Sequence, residues 1–308
     1  MRVNEVTADE YCTVIAKYPH IFNTVDFSLL NSGKANKLHF LLFCNHSTRF
    51  GLILGERDNS CLYSPFSAPF GGFSSNKPQQ FDAIDDAVVA LKDYGAECGK
   101  RIVLTLPPSF YDEKQYPLFI NALHRHAKIR FIDVNYHFVV SSFAIYDTVM
   151  ERNARKNLKT SLKANLVFEC VSRYDKEGVQ RAYDVIRKNR EEHGYPLRMS
   201  LDDVLKTIKL IPADFFLLTH EGHDVAAAQV FHVNDGICQV VYWGDLRKYS
   251  HLRPMNNLAY HIFKHYYEQG MKIIDIGPSS ENGVPNYGLC SFKESIGCAV
   301  SNKFSFEL

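Results

Sequence analysis

The order of segments along this chain of 308 residues predicts a mixed α/β protein built from two similar units in tandem. Three observations carry that expectation. The length suits two domains of ordinary size. Each half reads helix, helix, three antiparallel strands, helix, strand, helix, strand, with one extra strand at the head of the second half. The clearest periodic segment, a helix over 254–269, leads straight into a β-branched run over 272–276, so helices and strands alternate. The predicted units are residues 1–145 and 146–308, each a mixed, mostly antiparallel sheet flanked by helices. The alternative is one large domain with a long mixed sheet.

In the first half, Thr7 and Glu10 have the spacing of a capping box, which opens a short helix to about Lys17. A second helix is expected over 21–30. Strand-like runs follow at 38–44, 49–56 and 61–63, with Asp58-Asn59 as the last turn. Residues 81–94 read as a helix, 101–106 as a strand stopped by Pro107-Pro108, 114–127 as a helix and 129–141 as one or two strands. Between them, Ala68-Pro69-Phe70-Gly71-Gly72-Phe73 is an apolar loop. It is either the lining of a substrate groove or a tight turn with packed aromatics.

The second half opens with a strand at 166–171. A helix over 175–193 follows, with Val179, Ala182, Tyr183 and Ile186 on one face and Gly194 as its stop. Ser200 and Asp203 cap a short helix. Strands are expected at 214–219, 225–233 and 237–243. Pro254 suits a first helical position, and Met255, Leu258, Ala259, Ile262 and Tyr266 form one apolar face. A strand at 272–276, a helix within 288–296 and a strand at 300–306 complete the order.

With 46% hydrophobic and 22% charged residues the balance is that of a globular protein, and a net charge of +1 gives no global attraction to nucleic acid or anionic membranes. DNA is not an expected partner. The eight cysteines contain no Cys-x-x-Cys pair and mostly sit in apolar runs, so free buried thiols are expected rather than a disulfide scaffold or zinc site. No stretch has the roughly 18 apolar residues of a membrane span. The N-terminus lacks a signal-peptide core. Both point to the cytoplasm. Gly-x-Ser-x-Gly, Walker and Gly-x-Gly-x-x-Gly loops are missing from suitable contexts, which removes support for serine hydrolases, P-loop NTPases and Rossmann dehydrogenases. His220 and His223 are three apart at a hairpin turn, and His261 and His265 lack a third ligand, so no metal site is expected.

Two motifs stand close together near the C-terminus: Ile273-Ile274-Asp275-Ile276-Gly277 and Ser291-Phe292-Lys293-Glu294-Ser295-Ile296-Gly297. A third lies mid-chain, Met150-Glu151-Arg152-Asn153-Ala154-Arg155-Lys156-Asn157-Leu158-Lys159. Together they resemble the acyltransferase domains of the GNAT superfamily, and the Phe292-Lys293 pair and basic helix resemble its Fem-like branch. The resemblance covers most of the second half; the first half matches in outline and in residues 68–72. It implies two GNAT-like domains in tandem and transfer of an acyl group to an amine. In peptidoglycan members the donor is an aminoacyl-tRNA and the acceptor a cell-wall precursor; other members are acetyltransferases. No tightly bound cofactor is implied, with acetyl-coenzyme A or aminoacyl-tRNA as donor and tRNA as a possible partner. The place of the GNAT donor loop, Arg247 to Leu252, has no glycine, and no heptad pattern for a coiled-coil insertion occurs.

Expected site residues follow. The resemblance puts Lys293 at the transfer site, steadying an oxyanion; the alternative is a surface lysine paired with Glu294 or Glu307. Asp275 either accepts a proton from the acceptor amine or caps the next turn. Arg152, Arg155 and Lys156 lead a basic stripe spanning roughly a 100° arc of the helix. That stripe either holds substrate phosphates or is a solvated face. Tyr242, Asp245 and Phe292 are expected at the acceptor, and Arg247 and Ser250 at the donor. The expected function is N-acyl transfer, acetyl or aminoacyl, from a thioester or tRNA to an amine of a sugar- or peptide-linked precursor. The other reading is a non-catalytic GNAT-like module that binds a phosphorylated metabolite.

Overall fold

The computed structural model describes residues 1–308. The chain divides into two compact units. The first comprises Met1–Val134, Ser280–Val284 and Ser301–Leu308; the second comprises Asn135–Ser279 and Pro285–Val300. The expected boundary at 145 was drawn at the end of a contiguous half. In the structure each unit also takes residues from the other half of the chain. The C-terminal strand serves the first unit, while residues 135–139 serve the second.

The elements of the first half are β1 (Arg2–Val6), α1 (Ala8–Val14), α2 (Val25–Leu30), β2 (Lys37–Cys44), β3 (Thr48–Asp58), β4 (Cys61–Ser64), α3 (Phe81–Cys98), β5 (Arg101–Thr105), α4 (Tyr116–His126) and β6 (Lys128–Val139). Thr7 caps α1 through the expected reciprocal bonds with Glu10. The helix expected over 21–30 is broken at Thr24, whose side chain caps α2, so the first turn stays a separate 3-10 turn. Strand β1 was not expected. It pairs with β2 from Arg2↔Cys44 to Val6↔Phe40, and it gives the first half the same leading strand as the second.

The second half runs α5 (Tyr146–Val149), α6 (Arg152–Leu162), β7 (Val167–Ser172), α7 (Lys176–His193), α8 (Leu201–Leu210), β8 (Ala213–His220), β9 (His223–Asn234), β10 (Ile237–Asp245), α9 (Pro254–Glu268), β11 (Ile273–Pro278), β12 (Ser280–Glu281), β13 (Val284–Pro285), α10 (Tyr287–Ser295) and β14 (Ala299–Glu307). Strand order is β1-β2-β3-β4-β5-β14 in the first unit and β11-β10-β9-β8-β7 in the second, with residues 135–139 of β6 beside β11. Neighbours are antiparallel except β4 with β5 and β10 with β11, the equivalent pair in each unit.

Apolar periodicity decides what is buried. Leu258, Ala259, Ile262 and Tyr266 of α9 are fully buried, and Phe263 stacks on Phe138 at 3.9 Å. In the first unit Phe50, Phe73 and Phe119 form a ring cluster at 4.8 to 5.8 Å. The loop 68–73 is the packed turn of the two readings: Phe70, Gly71, Gly72 and Phe73 are buried, and Phe70 lies against His20, Phe22 and Tyr111. All eight cysteines are free, but only Cys61 and Cys238 are buried; Cys12, Cys98 and Cys170 are exposed. No helix is long and apolar enough to cross a membrane.

Candidate active site

Strands β10 and β11 start as a parallel pair and then part. Their register runs Ile237↔Ile273, Cys238↔Ile274, Gln239↔Asp275 and stops there. Just beyond, β10 carries an extra residue, Val241, between Val240↔Val230 and Tyr242↔Gln229 of its pairing with β9. Strand β11 carries one too, Ile276, between Asp275↔His137 and Gly277↔Tyr136 of its pairing with β6. A bulge bends its strand and raises its twist. Two bulges immediately past the last shared rung drive the strands apart, and residues 240–245 of β10 have no strand partner on that side. In the first unit β4 and β5 pair from Cys61↔Arg101 to Ser64↔Leu104, and the N–H of Gly71 then occupies the carbonyl of Thr105 at 2.9 Å. The slot, this gap in the pairing of β10 and β11, is a feature of the second unit.

Lys293 sits at this opening. Asn286 caps α10 by accepting the N–H of Leu289 at 3.1 Å, and Lys293 follows in the last turn. Its side chain is 3% exposed. Nζ donates to the carbonyls of Gly277 at 2.8 Å and Pro278 at 3.1 Å, at the parted end of β11, and lies 5.5 Å from the Tyr136 ring centre. Gly277 has φ of +78°, a conformation that favours glycine. Burial pulls the Lys293 pKa down to about 8. The surface-lysine reading therefore fails: Glu294 accepts the Tyr136 hydroxyl at 2.6 Å, and Glu307 faces Arg101.

Asp275 lies beneath the slot. It is 0% exposed, and three donors hold its carboxylate: Asn135 Nδ2 at 2.9 Å, the Gly277 N–H at 2.9 Å and Gln239 Nε2 at 2.7 Å. Of the two readings for Asp275, the bond from the Gly277 N–H is that of a residue capping the turn after its strand.

The slot's other walls carry aromatics. Trp243 of β10 meets Phe292 of α10 edge-on at 5.9 Å. The Tyr242 hydroxyl accepts the N–H of Arg198 at 3.3 Å, and burial raises its pKa. Asp245 is partly buried, its carboxyl pKa raised by that burial, and its backbone carbonyl takes Asn189 Nδ2 at 2.7 Å. The structure adds Arg190, whose guanidinium lies 5.2 Å from the Tyr242 ring centre and 5.8 Å from that of Tyr195. Sequence periodicity had given Arg190 no role, because a cation off the apolar face of a helix reads as solvated.

The remaining expected residues lie elsewhere. Arg247 and Ser250 are exposed on the 3-10 turn after β10, and the Arg247 N–H donates to Glu192 Oε2 at 2.9 Å. Beside that turn is a cavity of about 310 Å³ bounded by Lys188, Glu192, His223, Asp224, Lys248 and Tyr249. On α6, Ala154, Leu158 and Ser161 are buried, while Arg152, Lys156, Lys159 and Lys163 are exposed. Arg155 is half-buried and donates to the Met150 carbonyl at 3.4 Å. No acid pairs with this basic face. His261 stacks on Phe168 at 4.7 Å and His265 accepts or donates at 2.9 Å with Gln269. No three metal-binding side chains cluster anywhere.

No family model and no curated protein matches the sequence. Solved structures do match in fold. FemX aligns over 100% of this chain and 98% of its own, with TM-score 0.69 and 13% identity. The C-terminal domain of a putative lysylphosphatidylglycerol synthetase from Agrobacterium fabrum aligns over 97% and 91%, with TM-score 0.61 and 12% identity. A tandem GNAT protein from the clavulanic acid biosynthesis pathway aligns over 100% and 98%, with TM-score 0.51 and 10% identity. The parted parallel strands and the Phe292-Lys293 helix thus lie on a Fem-like fold of the GNAT type, with two such units in tandem.

Proposed function

We propose that the chain is an N-acyltransferase that moves an aminoacyl group from a tRNA ester to an amine of a sugar- or peptide-linked precursor. The observation that carries this reading is the slot between β10 and β11, which ends in the buried ammonium of Lys293. A parted strand pair exposes backbone donors to an acyl carbonyl, and a low-polarity surround strengthens them. A non-catalytic binding module has no need of either. The fold shared with FemX and the lysylphosphatidylglycerol synthetase domain supports acyl or aminoacyl transfer in general.

The chemistry needs no covalent enzyme intermediate. The amine attacks the acyl carbonyl, a C–N bond forms and the C–O bond to the leaving ribose hydroxyl breaks. An ammonium has three N–H donors. In Lys293 two are held by Gly277 and Pro278, which leaves one for the developing oxyanion and then the leaving oxygen. With a pKa of about 8, Lys293 can give that proton to the leaving oxygen and regain one from the attacking amine.

Two features favour a tRNA donor over acetyl-coenzyme A. A pyrophosphate on the turn after β10 would compete with the Glu192 carboxylate for the Arg247 N–H. The face of Arg152, Lys156, Lys159 and Lys163 has no acid partner, as suits a polyanion. The test supplies labelled aminoacyl-tRNAs and labelled acetyl-coenzyme A in parallel to the purified protein with a pool of amines. Label leaving aminoacyl-tRNA only, and lost in Lys293→Ala, is the expected result. Transfer from acetyl-coenzyme A would reverse the donor, and transfer from neither would favour the binding module.

A further inference from the structure

Arg190 is a cation without a counter-ion in a largely enclosed place. Its Nε is fully buried and has no hydrogen-bond partner, and no carboxylate pairs with the guanidinium. The rings of Tyr242 and Tyr195 attract it, at 5.2 and 5.8 Å, but ring faces are poor substitutes for the oxygen acceptors that a guanidinium fork is built to meet. Arg190 is half-buried, and its one enclosed, unmet N–H costs free energy that an oxyanion acceptor would recover.

The surroundings fix where that anion would lie. Asn189, the preceding residue, holds the end of α7 to β10 through the Asp245 carbonyl at 2.7 Å. Tyr195 accepts Asn286 Nδ2 at 3.4 Å and so joins the loop after α7 to the cap of α10. Tyr242 belongs to the parted stretch of β10. Arg190 therefore lies against β10 and the loop tied to the cap of α10, and burial lowers its pKa while its charge also disfavours protonation of Lys293. An anion at Arg190 would relieve both effects.

Resting on the N-acyl transfer reading, we propose that Arg190 recognises the carboxylate or phosphate of the acceptor, so that the acceptor is an amine-bearing acid whose anion docks between Tyr195 and Tyr242. The two oxyanions share the planar or near-planar acceptor edge that a guanidinium can engage with two N–H groups.

The test uses binding, not turnover. The full chain is titrated by calorimetry with L-alanine against L-alaninamide, and with O-phosphoethanolamine against ethanolamine. The wild type is expected to bind the anionic member of one pair at least roughly ten-fold more tightly. The pair that discriminates tells carboxylate from phosphate. Arg190→Gln and Arg190→Met should erase the preference, Arg190→Lys should weaken it, and Lys293→Met should retain it. Thermal unfolding of each variant checks folding, and Arg190→Lys keeps the test valid if the neutral variants unfold. Equal or undetectable binding of both members in the wild type, or an unchanged preference in Arg190→Gln, overturns the proposal. If Arg190→Gln loses the preference but no donor supports transfer, the anion site stands and the transferase reading falls. Transfer by the wild type with an unaltered preference in Arg190→Gln has the opposite meaning.

Discussion

Gln239 and Asp275 are the last paired residues of β10 and β11, and Gln239 Nε2 also donates to Asp275 Oδ2 at 2.7 Å. One rung of the sheet thus doubles as a side-chain clasp at the vertex of the slot. The strands part only beyond it, so the clasp sets where the opening begins. Gln239→Leu removes one donor from a buried carboxylate oxygen, which should lower the unfolding free energy by about 2 kcal/mol. Urea titration would read this as a lower midpoint at unchanged slope. An unaltered midpoint would mean that the clasp contributes nothing to the vertex.

Asp275→Asn should act on Lys293 as well as on stability. The Asp275 charge favours the protonated form of Lys293, so its removal moves the Lys293 pKa below about 8. One of the three donors now facing the carboxylate also loses its acceptor, at a cost of about 1–3 kcal/mol. The pH dependence of acetylation at Lys293, read by peptide mass spectrometry, is the check. A pH profile that moves upward in the variant would contradict the assigned field of Asp275.

Lys293 should oppose stability while serving transfer. Its folded pKa of about 8 lies below the ordinary lysine value, so the unfolded chain binds more protons from roughly pH 8 to 10.5. Stability contributed by this group therefore rises with pH across that window, and below it the full penalty of a buried cation is present. Lys293→Met should abolish most transfer, on the order of a hundred-fold, while raising stability at pH 7 more than at pH 10. Wild-type transfer should fall as pH climbs through about 8, because the donated proton is lost. Equal effects of Lys293→Met on stability at the two pH values would sink the linkage argument.

How far the sequence announced this arrangement differs from element to element. The alternation of Val, Ile and Phe with polar residues located most strands, and the 3.6-residue periodicity located α7 and α9, because local pattern and burial agree there. Strand β1 escaped because Arg2-Val3-Asn4-Glu5-Val6 is mostly exposed and carries little apolar signal. The exchange of β14 and the end of β6 escaped because strand pairing is a long-range choice that composition does not encode. In the site, Lys293 and Phe292 were legible through a resemblance, but the burial that tunes Lys293 was not. Val241 and Ile276 are ordinary β residues, and nothing local marks them as bulges. Arg190 was invisible for the opposite reason: Tyr242 comes from β10, far along the chain, and Tyr195 lies past the stop of its helix, where periodicity says nothing.

Gly244 is required for space. A Cβ there would overlap Cγ and Oδ1 of Asn189, the side chain that ties α7 to β10. Gly244→Ala should cost about 1–3 kcal/mol, as overpacking does, and displace the turn that carries Arg190. Trp243 is the only tryptophan and adjoins the site, so its emission should shift in the variant. Adding Asn189→Ala removes the obstacle, and the double variant should then recover part of the loss, a coupling of about 1 kcal/mol or more. Strict additivity would show that the two side chains do not collide.

His20, in the first unit, should set part of the acid sensitivity. It is 1% exposed, with the rings of Phe70, Phe22 and Tyr111 at 4.8, 5.9 and 6.1 Å, and burial pulls its pKa down to about 3. The folded chain thus keeps His20 neutral long after the unfolded chain has protonated it near pH 6.5. From about 6.5 down to about 3 the unfolded state binds more protons, so stability falls with pH through that window and is flat above it. At pH 4.5 this one group should remove on the order of 2–3 kcal/mol relative to pH 7. His20→Phe keeps an aromatic ring but cannot titrate, so its stability should decline less over the same interval. Urea midpoints of both proteins at pH 7 and 4.5 decide the matter: parallel declines would place the acid sensitivity in other groups, whereas a gap that closes or reverses at pH 4.5 would assign it to the imidazole that the Phe70 turn encloses.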